Sequence, residues 1–262
     1  MFFLPLFGGD GPRFYQFVQG HGCETTWPFH IFMINNIVPW GSKDYCIEPS
    51  WYLANDIWFM VPNLILSIQY MRQRKFFYIF LSLIAVTAMI IQIIQISSND
   101  FTASYLSQHD EYWTVYYTMP WTRIHCYLIG MIFGCNYFTY KYERDCDGLE
   151  LHPSKLSKLF NFLKFDNRAM LISEASGCTL MFLMITLYKA INNAADDVAT
   201  GVNLLYLLFG RPLYILGFTA WIMPFFLDNP MLRLIRNAMS HKFLVPYTRL
   251  IYGVFLCNTI FM

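Results

Sequence analysis

Six long runs of hydrophobic positions dominate the chain, and each is long enough to cross a bilayer as a helix, which takes roughly 20 residues. Short polar connections separate most of these runs, and one longer polar loop, at about 141–168, divides the third from the fourth. The pattern predicts an all-α, polytopic membrane helix bundle over 51–262, preceded by a non-cytoplasmic segment over 1–50. The predicted spans are about 51–70, 76–96, 121–140, 169–191, 203–227 and 244–262.

The composition supports a membrane protein. Hydrophobic residues make up 56% of the 262 residues and charged residues 13%, whereas soluble domains carry roughly 25% charged residues. A soluble domain of this size could not bury so much apolar surface. Because the basic residues fall in connections between apolar runs and form no stripe, nucleic acid is not an expected partner.

The positions of the basic residues predict the orientation of the spans. Thirteen of the 18 Lys and Arg residues fall in three alternate connections, 71–75, 141–168 and 231–249. Since cytoplasmic loops carry an excess of Lys and Arg, these connections are predicted to face the cytoplasm or an organelle matrix, and both chain ends the opposite side. The expected location is an endomembrane or the plasma membrane, with an organellar inner membrane as the alternative.

Two features are predicted outside the spans. Cys23 and Cys46 lie in the non-cytoplasmic segment, where they either form a disulfide, which would stabilise the fold by about 3 kcal/mol, or remain free thiols. In the long polar loop, apolar residues recur at helical spacing and lysines flank them. This segment is predicted to be a helix that lies in the membrane interface or packs on the bundle. Its apolar positions are Leu156, Leu159, Phe160 and Leu163.

Six polar side chains within or beside the predicted spans are candidates for a polar membrane cavity: Asn55, Asp56, Arg123, His125, Glu174 and Arg211. Ionisable groups at membrane depth pair with one another or line a cavity. Asp56 and Arg123 are both predicted near the non-cytoplasmic side, so a salt bridge between them is possible. His125 could act as a general base, because imidazole titrates near neutrality. Alternatively, these side chains act only as polar contacts between helices.

Motifs of soluble enzymes are absent from the sequence. It contains no phosphate-binding loop, no GxGxxG, no HExxH and no paired CxxC. None of the six histidines forms an i, i+3 or i, i+4 pair with another, so no metal site is expected.

Several blocks of the sequence follow one another in an order found in one membrane-protein family. The most specific is SWYLAND at Ser50–Asp56, followed by a Pro- and Arg-containing helix at Tyr117–Gly130 and by FGRPLYILGFTAWI at Phe209–Ile222. Further matches are Gly8–Phe17, Ile34–Asn36 and Leu244–Leu256. Together these blocks resemble the acyltransferase-3 membrane family, in particular its animal branch named for nose resistance to fluoxetine.

The resemblance implies transfer of an acyl group, typically from acyl-CoA as co-substrate, to a hydroxyl acceptor. It also implies a central cavity in which a base deprotonates the acceptor and basic residues hold the phosphates of coenzyme A. Arg72, Arg74 and Lys75 face the cytoplasm in the predicted topology and are the candidates for phosphate contact. The catalytic residue itself is unknown from this sequence.

The chain departs from the family pattern at the catalytic centre. The presumed catalytic His of the family, in its first membrane helix, has no counterpart, and His125 does not stand in its place. We therefore expect an incomplete product, one half of a split enzyme, or a relative that lacks catalysis. Expected partners are membrane lipids and either a second polypeptide that supplies N-terminal helices or a larger membrane complex. A non-catalytic membrane subunit is the main alternative function, and a transporter is a weaker one.

Overall fold

The structure is a computed structural model, and it describes residues 22–38, 40, 50–104, 111–145, 155–194 and 200–248. Every regular element within these ranges is helical. In chain order the α-helices are α1 (Gly22–Ile31), α2 (Ser50–Arg72), α3 (Arg74–Asn99), α4 (Ile124–Asp145), α5 (Lys155–Phe165), α6 (Asn167–Ala194), α7 (Thr200–Phe226) and α8 (Arg233–Met239).

Three of these helices, α3, α6 and α7, are long and apolar enough to cross a membrane, as judged by length and composition. They coincide with the spans predicted at 76–96, 169–191 and 203–227, and they are consistent with an integral membrane protein. The predicted runs at 51–70 and 121–140 correspond largely to α2 and α4, which are not among these three helices. The run at 244–262 lies mostly outside the described residues. The count of six spans and their orientation therefore stay predictions.

The chain divides into two compact units. The first comprises Met1–Val61, Asp110–Pro120 and Ser240–Met262, and the second comprises Pro62–His109 and Trp121–Met239. The predicted division at residue 50 stays a prediction. The side chains of Cys23 and Cys46 lie outside the described residues, so the disulfide also stays a prediction.

In the first unit, buried hydrogen bonds hold α1 and the segment after it against the start of α2. Ser50 Oγ accepts from Asn35 Nδ2 at 3.0 Å and lies 2.8 Å from His30 Nδ1. Because the Ser50 oxygen already accepts one hydrogen bond, its own proton is suited to a neutral imidazole. Burial lowers the pKa of His30 below its ordinary value, in agreement with a neutral ring.

The same unit contains a π-helical turn at Tyr112–Tyr117. Its aromatic rings pack on one another and on α2: the ring centroids of Trp113 and Tyr117 are 4.7 Å apart, and those of Trp51 and Tyr117 are 5.5 Å apart. This aromatic cluster anchors the turn against the first residues of α2, which carry the SWYLAND block.

In the second unit, α6 and α7 approach each other with almost no space between their backbones. A Cβ atom added to Gly177 would lie 2.6 Å from Gly217 O and 2.8 Å from Trp221 N. Ser173, one turn before Gly177, donates from Oγ to Ala220 O at 2.8 Å. Small residues that permit close contact, together with a hydroxyl bonded across the interface, are typical of helix pairs in membranes.

The amphipathic segment predicted in the long polar loop forms α5. Phe160 is buried, and its ring meets the Tyr140 ring of α4 edge-on, with centroids 5.6 Å apart. Leu159, predicted on the same apolar face, is exposed instead, as are Phe162 and Phe165. The helix thus packs on the bundle through one apolar face and presents a second apolar face outward.

Two side chains close the junction between α5 and α6. Asn229 Nδ2 donates to Leu163 O and Lys164 O, both at 3.1 Å, and so satisfies carbonyl groups that the C-terminus of α5 leaves without helical partners. At the N-terminus of α6, Asp166 Oδ1 accepts from Arg168 N at 2.8 Å. This is the usual role of an N-capping aspartate.

The close contact between α6 and α7 predicts that Gly177→Ala lowers the free energy of unfolding by about 1–3 kcal/mol, because the new Cβ overpacks a backbone contact. Helix propensity alone would favour alanine by about 1 kcal/mol. The matched variant Gly134→Ala, whose Cβ meets no heavy atom within 4 Å, is expected to be neutral or stabilising. Unfolding in mixed micelles, followed by circular dichroism, measures both. An equal effect of the two substitutions would contradict the close contact.

The buried His30 predicts a pH dependence of stability. The unfolded chain binds a proton at His30 near pH 6.5, whereas the folded chain, whose His30 pKa is lowered, binds it only at lower pH. The contribution of neutral His30 is therefore complete above about pH 6.5 and declines as the pH falls through the folded pKa. The unfolding free energy of the wild type, relative to that of His30→Gln, should decrease between pH 7 and pH 5. A constant difference across this range would refute the assignment.

Candidate functional site

Asn55, the first of the predicted cavity residues, is a buried structural contact in the first unit. Its Oδ1 accepts from Asn36 Nδ2 at 2.8 Å, and its Nδ2 donates to Thr118 O at 2.9 Å. Both ends of the amide are therefore used to hold α2 against two other segments of the unit. This geometry matches the interpretation of Asn55 as a polar contact between segments.

Asp56 follows Asn55 on α2 but points away from these contacts and is exposed. One residue along a helix turns the side chain by about 100°, so neighbours in sequence reach different surroundings. Asp56 belongs to the first unit and Arg123 to the second. The salt bridge between them stays a prediction.

In the second unit, His125 and Gln92 join α4 to α3. His125 Nε2 lies 3.0 Å from Ala85 O, and His125 Nδ1 lies 3.2 Å from Gln92 Nε2. A carbonyl oxygen can only accept and an amide NH₂ can only donate, so we assign the neutral tautomer with its proton on Nε2. Gln92 Nε2 also donates to Trp121 O at 2.8 Å. Both ring nitrogens of His125 are thus engaged within the helix bundle, which favours a structural role over that of a general base.

Arg123 and Arg211 both lie within electrostatic range of Cys126. Arg123 directly precedes α4 and Arg211 lies in α7, yet both guanidinium groups are close enough to interact electrostatically with the Cys126 thiol. One terminal nitrogen of each, Arg123 Nη2 and Arg211 Nη1, is buried. Two positive charges that share one buried region produce a site suited to a negatively charged or strongly polarised group.

Glu174, the remaining candidate, is a half-buried residue of α6. Its Oε1 atom is buried and has no hydrogen-bond partner among the residues that the structure describes. Of the six predicted cavity residues, Arg123 and Arg211 therefore share electrostatic proximity to one thiol. It places Asn55 and His125 in separate hydrogen-bonded contacts.

Cys126 opens onto a cavity of about 630 Å³ between the second half of α2 and one face of α4. Ligand sites commonly have volumes of roughly 300–1,000 Å³. Along α4 the cavity extends from Cys126 to Phe138, a rise of about 18 Å at 1.5 Å per residue. Its lining consists of Asn63, Ser67, Tyr70, Met71, Cys126, Tyr127, Gly130, Met131, Gly134, Cys135 and Phe138.

A hydrogen-bond network lies at the end of the cavity opposite Cys126. Tyr70 OH donates to Asn136 Oδ1 at 3.3 Å and accepts from Thr139 Oγ1 at 3.2 Å, and Asn136 Nδ2 donates to Tyr78 OH at 3.1 Å. Asn136 is fully buried. Asn136 is not among the residues predicted from the sequence, although its position as a single amide within an otherwise apolar run is a signal that could have identified it.

The three candidates for phosphate contact lie at this same end. Arg72 and Lys75 are exposed, and the Arg74 guanidinium carbon lies 5.4 Å from the centroid of the Tyr70 ring. Since Tyr70 lines the cavity, positive charge stands beside this end of it. Within the described ranges, no group of three or more His, Cys, Asp or Glu side chains could hold a metal ion.

The chain has a distant relative among curated proteins. It is 21% identical, over 266 residues, to Nose resistant to fluoxetine protein 6 of Caenorhabditis elegans, in a region that covers 97% of this chain and 30% of the relative. The chain thus spans about a third of the length of that relative. No protein-family model matches the chain, and no solved structure matches it significantly. This distant similarity suggests an acyltransferase-3-like membrane family, the one whose motifs the sequence resembles.

Proposed function

We propose that the chain forms the donor-binding part of a membrane acyltransferase, which transfers an acyl group from acyl-CoA to a hydroxyl acceptor. The observation that carries the proposal is a long cavity lined at one end by Cys126, whose thiol is within electrostatic range of Arg123 and Arg211. The similarity to a nose-resistant-to-fluoxetine protein over nearly the whole chain supports the reaction class.

The cavity suits a long donor that is charged at one end. Arg72, Arg74 and Lys75 would contact the phosphates of coenzyme A at the Tyr70 end. The pantetheine arm would then follow the cavity, where Asn63 and Ser67 offer hydrogen bonds. Over the roughly 18 Å between Phe138 and Cys126, measured as the rise of α4, the arm would bring the thioester towards the two arginines.

The arginines would act on the carbonyl group of the donor. When an acceptor hydroxyl attacks the thioester carbon, negative charge develops on the carbonyl oxygen, and the coenzyme A thiolate then leaves and takes up a proton. Guanidinium N–H groups near that oxygen would stabilise the charge in a region that excludes water. His125 is engaged through both ring nitrogens, so the base that deprotonates the acceptor would come from a second polypeptide or from further helices.

A non-catalytic membrane subunit is the second candidate function. It is favoured by the engagement of His125, Asn55 and Asn136, whose polar atoms all serve contacts between helices or segments. In that case the cavity would serve as a packing or lipid-binding surface within a larger complex.

The donor model predicts different kinetic effects for the two clusters of positive charge. Arg123→Ala and Arg211→Ala should each lower kcat by about 100-fold or more, since they remove stabilisation of the oxyanion. The double variant R72Q/K75Q should instead raise KM for acyl-CoA with little change in kcat. Transfer of radiolabelled acyl groups, measured in native membranes that contain the full chain, provides both constants. Arg233→Gln, an exposed arginine away from the cavity, is the control.

Native membranes that contain the full chain also distinguish an acyltransferase from a non-catalytic subunit. A folded, membrane-inserted chain that binds no acyl-CoA and co-purifies with other proteins in fixed stoichiometry would be a non-catalytic subunit. Equal effects of the cavity variants and of Arg233→Gln would also contradict the donor model.

A further inference from the structure

A second cavity lies apart from the first, beneath the outward-facing side of α5. It has a volume of about 370 Å³ and is enclosed by α4, α5, α6 and α7. Its walls are almost entirely apolar, and they include Phe133, Phe162, Ile172 and Met223. The proposed acyl transfer uses none of these residues.

One basic residue lines this cavity, and two lysines stand next to lining residues in the sequence. Arg168 lines it directly, and its side chain is exposed at the start of α6. Lys158 and Lys164 are on α5, and Lys164 Nζ lies 5.2 Å from the centroid of the exposed Phe165 ring. The one carboxylate in the lining, Asp166, accepts a backbone hydrogen bond as the N-cap of α6. The cleft at the start of α6 thus has one cation in its lining, Arg168, and two more on α5 directly beside the lining residues Leu159 and Leu163.

The outward face of α5 is suited to lipid rather than to water. Phe162 is 56% exposed and Phe165 74% exposed, and Ile172 on the adjoining turn of α6 is 70% exposed. Large apolar side chains next to lysines are the pattern of a helix that lies in the membrane interface. Anionic headgroups are attracted to such clusters of Lys and Arg.

We propose that this cavity binds an anionic glycerophospholipid of the surrounding bilayer, with one acyl chain between α5, α6 and α7 and its headgroup on Lys158, Lys164 and Arg168. The positive charges of Lys158, Lys164 and Arg168 favour an anionic headgroup, and the apolar walls of the cavity favour a hydrocarbon chain. This inference does not depend on acyl transfer, because it involves a different cavity and predicts binding without turnover.

Photo-cross-linking tests the proposal. The full chain is placed in nanodiscs of phosphatidylcholine and phosphatidylglycerol at 4:1, with a trace of either lipid carrying a diazirine on its acyl chain, and labelled peptides are identified by mass spectrometry. The phosphatidylglycerol probe should label peptides containing Phe133, Ile172 and Met223 at least several-fold more than the phosphatidylcholine probe does.

Two variants, each with a matched control, identify what holds the lipid. K158Q/K164Q/R168Q should reduce phosphatidylglycerol labelling about tenfold, to the level of phosphatidylcholine, since each basic residue contributes to headgroup attraction. K141Q/R233Q/K242Q removes the same charge from other exposed positions and should change labelling little. Ile172→Trp, which narrows the cavity, should reduce labelling, whereas Ile90→Trp on an exposed part of α3 should not.

Three results would overturn the proposal. They are equal labelling of the cavity by the two lipids, equal effects of the two triple variants, and labelling spread over exposed apolar residues of α3 as strongly as over the cavity. The last result would mean that only bulk bilayer lipid touches this face. Lipid labelling does not require acyl transfer. A chain that transfers no acyl group can therefore still show the expected labelling, and failure of the proposed function is distinguishable from failure of this lipid site.

Discussion

The fold depends on the requirement that polar groups in an apolar bundle find their partners within the protein. Gln92 illustrates it: the side chain is buried in α3, and its amide donates to Trp121 O and to His125. Asn203 of α7 does the same at the end of α3, where it donates to Phe101 O at 2.8 Å and accepts from Ala103 N at 2.6 Å. These bonds join helices that are far apart in sequence, so they select one arrangement of otherwise similar apolar surfaces.

The same requirement positions the candidate site. The Tyr70–Asn136–Tyr78 network fixes the ends of α2 and α4 next to the start of α3, and the Gln92 and His125 bonds fix the other end of α4 against α3. Between these two contacts, Gly130 and Gly134 of α4 line the cavity without adding side chains to it, and a Cβ on either would meet no heavy atom within 4 Å. The cavity is therefore an open space held between two polar contacts.

Much of the fold could be predicted from the sequence, because apolar runs of about 20 residues have few alternatives to a membrane helix. The runs that became α3, α6 and α7 agree with the structure to within a few residues. The amphipathic period of α5 was also clear, although the pattern could not show that Phe160 would face the bundle while Leu159 would not. Such differences arise because the buried face of a short helix is decided by its neighbours.

The candidate site was harder to predict from the sequence than the fold. Arg123 and Arg211 were both predicted as intramembrane charges, but they are about 90 positions apart in the sequence, and no local pattern reports that both lie within electrostatic range of Cys126. Asn136 was missed because a single amide carries no periodicity. For Asn55 and His125, residue type alone indicated polar chemistry, whereas their hydrogen bonds show that this chemistry serves the packing of helices and segments.

The central claim is that α3, α6 and α7 are embedded in lipid, with their exposed apolar side chains facing the hydrocarbon. Nitroxide spin labels at Val86, Leu183 and Leu213, which are exposed positions near the middle of these helices, test it directly in a bilayer. The account predicts that all three labels collide more often with oxygen than with a water-soluble nickel complex, and that a label at the exposed position Lys75 shows the reverse. Preferential collision with nickel at Val86, Leu183 and Leu213 would contradict it.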